Sequence, residues 1–276
     1  MATRKRKTKK KSVVDSAARN AASITDGCNP EFVKGATFDG IFEMPIIKKP
    51  KKIIIPDNLV PFSKMDKADK KKFAVCEYEN DKEFKDILVN PDEYIALLKQ
   101  YQGFITPDCS VYRDMPLAAQ ITNIYRSRAI GYCFQKHGVY VIPNVRWGDE
   151  RTYTTKFLPE KVAFLGIEKH SIVSIGSYGQ LKNKVNRYYF KEGFDAMMET
   201  LEPEVVLVYS KLSEELSLAT LQFSKNVLDA TNAYTLHITD STDLAGLPSY
   251  VVAMGAETAK EKELEGWAFT LAYPSF

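Results

Sequence analysis

Carboxylate, amide and hydroxyl side chains recur at three places in the middle of the chain, each directly after an apolar run. Asp108 follows GFITP, Asn144 follows VYVIP, and Ser177 follows SIVSIG. A carboxyl group can act as a general acid or base, and a guanidinium can neutralise an anionic substrate or transition state. The candidate catalytic residues are Asp108, Asp114, Arg126 and Arg128, and the candidate ligand-binding residues are Ser110, Tyr112, Asn123, Asn144, Arg146, Trp147, Ser177 and Gly179.

The apolar runs predict the strands of an α/β protein. Strands are expected at residues 73–78, 103–108, 139–147, 171–177, 205–210 and 234–238, with helices at 91–101, 116–137, 189–201 and 213–228. Strands that alternate with helices indicate βαβ units and a mainly parallel sheet. The spacing fits a doubly wound sheet and a barrel-like sheet equally well.

Parallel sheets bind their ligands beyond the carboxyl ends of the strands. The polar residues after the predicted strands should therefore converge on one rim of the sheet. The functional interpretation requires Asp108, Asn144 and Ser177 to lie at the same end of the molecule.

Each candidate also has a structural explanation. Aspartates such as Asp108 and Asp114 commonly cap turns and helices. Arg126 and Arg128 could each form a surface ion pair with an acidic residue, and such pairs contribute little to stability. Trp147 is typical of a packed core. The turn Gly176–Gly179 could bind an anion, but it lacks the spacing of a phosphate-binding loop.

Metal chemistry has little support in the sequence. Cys133 and His137 are four residues apart on a predicted helix and would share one face, but a zinc site needs four ligands, or three and a water. No metal site is therefore expected, and the sequence assigns no cofactor. The four cysteines are scattered, which indicates a reducing compartment without a disulfide framework.

Charge is distributed unevenly along the chain. Residues 1–72 hold 18 basic and 8 acidic side chains, and the remaining 204 residues hold 20 basic and 27 acidic ones. A disordered arm over residues 1–30 is expected, because like charges at this density resist packing. Such an arm attracts DNA or RNA, or serves only to keep the protein soluble. The candidate nucleic-acid-binding residues are Arg4, Lys5, Arg6, Lys7, Lys9, Lys10 and Lys11.

Three regions are predicted. The arm leads into an extended, Pro- and Lys-rich connector at residues 31–72, and an α/β domain follows at 73–276. The prolines around Ile53–Ile55 break helices and favour an extended backbone, so we expect this segment to lie along the surface of the core. The chain has neither a long apolar stretch nor a secretory leader, so we expect no membrane partner and a cytoplasmic location in a bacterial host cell or a place in the virion.

Residues 105–147 resemble an uncharacterised family of bacteria, phages and mobile elements, domain of unknown function 4417. The resemblance consists of TPD-x-S-x-Y-x-D-M-P, then Q-x-x-N-x-Y-R-S-R, then a glycine that leads to V-I-P-N-x-x-W. It extends over about residues 73–210 and leaves 211–276 as an extension. The family implies a phage or mobile-element setting and no particular activity.

Three hypotheses follow from these observations. The first is a phage or mobile-element accessory protein that associates with nucleic acid through its arm, while the core binds a protein partner or a nucleotide-like ligand. The second is an enzyme that acts on a phosphate-containing or other anionic substrate at the strand rim. The third is a structural or virion-associated protein whose arm enters a partner.

Overall fold

The protein is an α/β domain built on two four-stranded sheets. A computed structural model describes residues 26–177, 183–209, 234–239 and 250–255, the last two ranges as backbone only. The strands are β1 (Phe38–Asp39), β2 (Met44–Pro45), β3 (Asn58–Pro61), β4 (Phe73–Cys76), β5 (Gly103–Ile105), β6 (Val141–Ile142), β7 (Ile172–Gly176), β8 (Val205–Tyr209), β9 (Tyr234–Thr239) and β10 (Tyr250–Gly255). The helices are α1 (Lys85–Val89), α2 (Ile95–Leu98), α3 (Leu117–Lys136), α4 (Glu150–Tyr153) and α5 (Lys184–Leu201).

The predicted parallel sheet is confirmed. Strands β3, β4, β5 and β6 pair in parallel in the order of the chain. In the second sheet β7 and β8 are also parallel, but β10 pairs with β8 and β9 in antiparallel fashion. The strand expected near residue 234 is present as β9, whereas β10 was not predicted.

Backbone hydrogen bonds join the two sheets. The amide of Val145 donates to the carbonyl of Ser174 at 2.8 Å, and the amide of Ser174 donates to the carbonyl of Pro143 at 2.8 Å. Strands β3 to β8 therefore lie side by side in chain order. A doubly wound sheet requires a reversal of strand order, so the structure favours the barrel-like alternative.

The sheet curls strongly around its inner face. The ring of Tyr78, after β4, stacks on the ring of Tyr209, at the end of β8, with centroids 4.7 Å apart. Four strand spacings in a flat sheet would separate them by about 19 Å. The inner face is apolar and includes Leu59, Ala74, Cys76, Ile105, Ile142, Ile172, Val205 and Leu207.

The segment predicted as a surface connector contributes to the core. Strand β3 lies at one edge of the parallel sheet, where Pro61 can end a strand because no further strand needs its missing N–H. Ile53 packs on the inner face, and the amide of Ile54 donates to the Tyr140 hydroxyl at 2.8 Å. Residues 26–30, the last five of the predicted arm, are among the described residues, and residues 1–25 lie outside the described range.

The helices follow the predictions where the apolar period is long. Helix α3 agrees within a residue with the predicted helix at 116–137. Helix α5 begins five residues before the predicted start, because the side chain of Asn183 caps it by accepting from the amide of Asn186 at 2.8 Å. The predicted helix at 91–101 is a 3-10 turn (Pro91–Tyr94) followed by α2. The predicted helix at 213–228 lies outside the described residues.

Within the described ranges, no helix has the length and apolar character needed to cross a membrane.

Candidate functional site

A polar cleft of about 630 Å³ opens at the carboxyl ends of strands β4 to β7. The residues that follow β4, β5, β6 and β7 all contribute to it, together with the start of α5. Its lining residues are Tyr78, Glu79, Asn80, Asp81, Asp108, Ser110, Val111, Tyr112, Arg113, Asp114, Arg146, Gly148, Gly176, Asn183, Asn186 and Tyr189. The predicted rim therefore exists as one surface.

Asp108 is a largely buried carboxylate of this cleft, and an ion pair with Arg146 holds its position. Its side chain is 13% exposed and accepts from Asn144 Nδ2 at 2.8 Å and from Arg146 Nη1 at 3.3 Å. Burial raises the pKa of the Asp108 carboxyl above its ordinary value, although Arg146 and Asn144 partly oppose the rise. The nearby carboxylate of Asp81 adds to it. A carboxyl group with a raised pKa and one face toward a cleft is suited to proton transfer.

Asn144 holds this arrangement from below. Its amide side chain donates to Asp108, and its Oδ1 accepts from the Tyr78 hydroxyl at 3.1 Å. The Tyr78 oxygen also lies 2.6 Å from Ser174 Oγ. Burial raises the pKa of Tyr78 well above its ordinary value, so the phenol stays protonated and can donate. The network fixes the orientation of the Asn144 amide and, through it, the Asp108 carboxyl.

A second carboxylate, Asp81, organises the opposite wall. Its two oxygens accept from the amide of Ser110 at 3.1 Å and from Ser110 Oγ at 2.7 Å. The Ser110 hydroxyl also lies 3.1 Å from the Tyr112 hydroxyl. Asn123 Nδ2 donates to the Ser110 carbonyl at 2.6 Å, which anchors the loop to α3.

The structure places the predicted site residues in different surroundings. Asp108, Ser110, Tyr112, Asp114 and Arg146 line the cleft. Asn123 and Asn144 support lining residues from behind. Gly179 and the seven basic residues of the arm lie outside the described residues.

Two predicted catalytic arginines do not reach the cleft. The Arg128 guanidinium is fully buried and donates to the carbonyls of Leu165, Asn144 and Ala163 at 3.0, 2.8 and 2.9 Å. Arg126 Nη1 donates to Asn123 Oδ1 at 3.1 Å. Neither side chain is part of the cleft lining, so their predicted catalytic role is not supported by their positions.

Trp147 and Ser177 also serve the packing. The Trp147 indole donates to the Tyr189 carbonyl at 3.1 Å and packs on Phe190 of α5. Gly193 faces the same ring, and a Cβ there would lie 2.2 Å from Trp147 Nε1. Ser177 Oγ donates to the Tyr209 carbonyl at 3.2 Å. These contacts support a packing role in the core for Trp147.

Several lining residues were missed by sequence reasoning. Glu79, Asn80 and Asp81 follow β4 directly, so the same strand-end argument would have identified them. Asn183 and Asn186 lie at the start of α5, which was predicted to begin later. Arg113 lies between two residues that were predicted.

The cleft carries charges of both signs. Four carboxylates line it, Glu79, Asp81, Asp108 and Asp114, and two guanidinium groups, Arg113 and Arg146. The amino end of α5, with its partial positive charge, also opens here. Among the described residues, the cleft carboxylates do not form a group of three close enough to share one metal ion.

The fold and the cleft together define a curled, mainly parallel α/β protein with an acidic residue at the base of a polar strand-end site. The chain belongs to the family described as "Domain of unknown function (DUF4417)", whose sequence model matches residues 36–225. The resemblance found in residues 105–147 is therefore confirmed, and the family domain extends further on both sides than residues 73–210.

Two curated relatives come from phages. The Gene 1 protein of Mycobacterium phage L5 is 32% identical over 147 residues, which cover 53% of this chain and 61% of that protein. The Gene 1 protein of Mycobacterium phage D29 is 30% identical over 133 residues, or 48% of this chain and 47% of that protein. The chain thus spans about half to three-fifths of the length of these relatives.

A further similarity is short. Oligopeptidase A of Escherichia coli is 43% identical over 68 residues, which cover 25% of this chain and 10% of that protein. A match to one tenth of a peptidase carries no statement about activity. No solved structure matches the chain.

Proposed function

We propose that the cleft binds a small polar molecule of about nucleotide size and that Asp108 exchanges a proton with it as a general acid or base. The observation that carries this proposal is the environment of Asp108: a nearly buried carboxyl with a raised pKa, held by Asn144 and Arg146 at the base of an open cleft. Carboxyl groups in such surroundings are frequent at active sites.

The lining supports a ligand with both anionic and hydroxyl or amide groups. Arg146, Arg113 and the amino end of α5 offer partners for one anionic group, such as a phosphate. Asp81, Asn183 and Asn186 offer partners for hydroxyl and amide groups. Three tyrosine rings, Tyr78, Tyr112 and Tyr189, offer surfaces for a flat ring. A volume of about 630 Å³ lies within the usual range of small-molecule sites.

Asp108→Asn tests this proposal. The substitution keeps the shape of the side chain but removes the transferable proton, so a reaction that depends on it should slow by at least about 100-fold. The change also takes the ion-pair partner from Arg146 and should cost some stability, so the unfolding temperature is measured alongside to confirm that the variant is folded. The probes are the four ribonucleoside 5′-monophosphates and the four parent nucleosides. Their binding is measured by saturation-transfer NMR and calorimetry.

For these probes, Asp108→Asn should weaken binding by at least about tenfold, since a hydrogen bond to a charged or proton-donating group is lost. Asp114→Asn is the matched control, because Asp114 is exposed at the mouth of the same cleft. If protonated Asp108 donates to the ligand, affinity falls as the pH rises through its raised pKa. Failure of the wild-type protein to bind any of the eight probes, or equal binding by both variants, contradicts the proposal.

Nucleic-acid association is the second candidate function, and the charge distribution favours it. Seven basic residues lie within residues 1–11. Exposed lysines of the described residues also precede two of the parallel strands: Lys71 and Lys72 lie immediately before β4, and Lys51 and Lys52 lie in the segment that leads to β3. The pair Lys71 and Lys72 forms a basic edge at the end of β4 opposite the cleft and could extend the contact of the arm along a phosphate backbone. The setting would be a phage or mobile element, in the host cytoplasm or the virion.

Salt dependence distinguishes this function from a solubilising role. Deletion of residues 1–11 should reduce the slope of log affinity against log salt by up to about 6 for double-stranded DNA, since each phosphate contact contributes about 0.9. The double change Lys71→Gln and Lys72→Gln should reduce it by up to about 2.

The double change Lys82→Gln and Lys85→Gln is the matched control for the basic edge. It removes two exposed lysines that follow β4, at the opposite end of that strand. Fluorescence polarisation with a labelled duplex at several salt concentrations measures all variants. Binding that survives the arm deletion with an unchanged slope contradicts the proposal for the arm.

A further inference from the structure

Three side chains with metal-binding atoms meet on the outer side of the parallel sheet, away from the cleft. Cys133 and His137 lie one turn apart at the end of α3, and Asp92 belongs to the 3-10 turn Pro91–Tyr94. One ligand atom from each residue lies within 4.8 Å of the others. We propose that Asp92, Cys133 and His137 bind a zinc ion, with water as the fourth ligand.

The set of donor atoms suits zinc. Thiolate, imidazole and carboxylate are the three protein ligands that Zn²⁺ takes, and three of them with a water make a common tetrahedral site. Bond lengths of about 2.0–2.3 Å place the ligand atoms of such a site about 3.3–3.6 Å apart. Separations of up to 4.8 Å therefore need to close by about 1 Å. Asp92 and His137 are exposed, so their side chains can make this adjustment by rotation.

The surroundings of His137 prepare one ring nitrogen for a metal. His137 Nδ1 lies 2.8 Å from the carbonyl oxygen of Cys133. In a neutral ring the carbonyl selects the tautomer with the proton on Nδ1, which leaves the lone pair of Nε2 available. A backbone carbonyl in this position is a common partner of metal-bound histidines.

The ammonium of Lys136 is engaged elsewhere and does not compete for the site. Lys136, between the two α3 ligands, donates to the carbonyls of Glu31 and Phe32 at 3.0 Å, so its ammonium is held by the turn at Pro30–Val33. Cys133 is a free thiol in a buried position. On binding, Zn²⁺ replaces the thiol proton and one S–Zn bond forms as one proton is released, without any change of oxidation state.

The ion would tie the turn before α2 to the end of α3. Both elements pack on the apolar outer face of the parallel sheet, where Leu98 of α2 and Cys133 and Phe134 of α3 share one cluster with Val75 and Phe104 of the sheet. A bond between them fixes two segments that are more than thirty residues apart in the chain. This site goes beyond the proposed function of the cleft and does not depend on it.

Cobalt titration of the full-length, reduced, metal-free protein tests the site. Bound Co²⁺ should show tetrahedral d–d bands and a thiolate-to-cobalt charge-transfer band, and Zn²⁺ should displace it. His137→Gln and Asp92→Asn each remove one ligand, so each should weaken Zn²⁺ binding, His137→Gln by at least about 100-fold. Both residues are exposed, so these changes leave the core undisturbed. Cys133→Ser should abolish the charge-transfer band.

Cys28→Ser is the matched control, since Cys28 is a free, partly exposed cysteine that does not belong to the trio. It should leave both the band and the Zn²⁺ affinity unchanged. A cobalt spectrum without a thiolate band, or Zn²⁺ affinity that stays the same in His137→Gln and Asp92→Asn, overturns the proposal. Because these two variants keep Cys133, loss of folding in Cys133→Ser cannot be mistaken for loss of a ligand.

Discussion

Arg128→Met is expected to lower the free energy of unfolding by about 4 kcal/mol. The Arg128 side chain is fully buried, and its guanidinium donates to three backbone carbonyls, those of Asn144, Ala163 and Leu165. Methionine fills much of the space but donates nothing, so three buried carbonyls lose their partner. Each unsatisfied group costs about 1–3 kcal/mol.

The charge of Arg128 persists in the folded protein. Burial lowers the pKa of Arg128 to about 9, which leaves the guanidinium protonated at neutral pH. The partial negative charges of the three carbonyl oxygens stabilise the buried cation, since the hydrogen bonds of Arg128 within the described residues are with these backbone oxygens. Arg128→Lys should therefore restore only part of the stability, since one ammonium cannot reproduce the planar fork that reaches all three carbonyls.

Arg126→Met is the control, because it removes the other guanidinium of the same helix. Within the described ranges, Arg126 makes one side-chain hydrogen bond, to Asn123, so its loss should cost about 1 kcal/mol. The free energy of unfolding of both variants is measured by urea unfolding, with tryptophan fluorescence as the signal. If Arg128→Met is too unstable to purify, a low yield of soluble protein shows the loss of stability. Equal stabilities of the two variants would show that the buried hydrogen bonds contribute little.

The same pair of arginines shows where sequence reasoning ends. Arg126 and Arg128 are two residues apart on one helix. Their spacing does not show which arginine forms an ion pair with an acidic residue at the surface and which is buried against backbone carbonyls. The partners of Arg128 at Ala163 and Leu165 come more than thirty residues later, after a segment without a clear period. Long-range backbone contacts of this kind are set by the packed fold.

The order of elements could be predicted because the apolar runs are long. The runs that became β7 and β8, five residues each, are buried at every position, as expected for strands covered on both faces. The end of helix α3 was predictable as well, because a glycine commonly ends a helix, and Gly138, directly after the C-cap His137, has the left-handed conformation of such an end. The positions of Asp108, Asn144 and Ser177 after β5, β6 and β7, at one end of the sheet, then follow from parallel pairing.

The curl of the sheet was not predictable from the same patterns. It depends on residues distant in sequence, such as Tyr78 and Tyr209, meeting across the inner face. The Ile53–Ile55 segment was assigned to the surface because prolines surround it. In the structure Ile53 packs on the inner face of the curled sheet, a position that exists only after the sheet has curved.

The second large effect is expected at Glu77, a carboxyl buried completely beside the cleft. Within the described residues, neither of its oxygens has a hydrogen-bond partner. Burial raises the pKa of Glu77 well above its ordinary value, and the carboxylates of Glu79 and Asp108 raise it further. The folded protein therefore holds the Glu77 proton to a higher pH than the unfolded chain does.

The pH dependence follows from this difference. Above the unfolded pKa of about 4.3, the folded protein holds a proton that the unfolded chain releases. Stability therefore falls as the pH rises, by up to about 1.4 kcal/mol per pH unit for one proton, until the pH reaches the raised pKa of the folded state. Glu77→Gln removes this contribution, so between the unfolded pKa and the raised folded pKa its stability relative to the wild type should increase as the pH rises.

Urea unfolding at several pH values in that range measures the difference between the two proteins. The contributions of carboxyl groups present in both proteins cancel in this difference, which isolates Glu77. Glu83→Gln serves as the control, because it removes the same charge from an exposed position on the same connection between β4 and α1. A relative stability of Glu77→Gln that stays constant or falls with rising pH would mean that Glu77 is ionised in the folded protein, and that a partner or solvent reaches its carboxylate beneath the cleft.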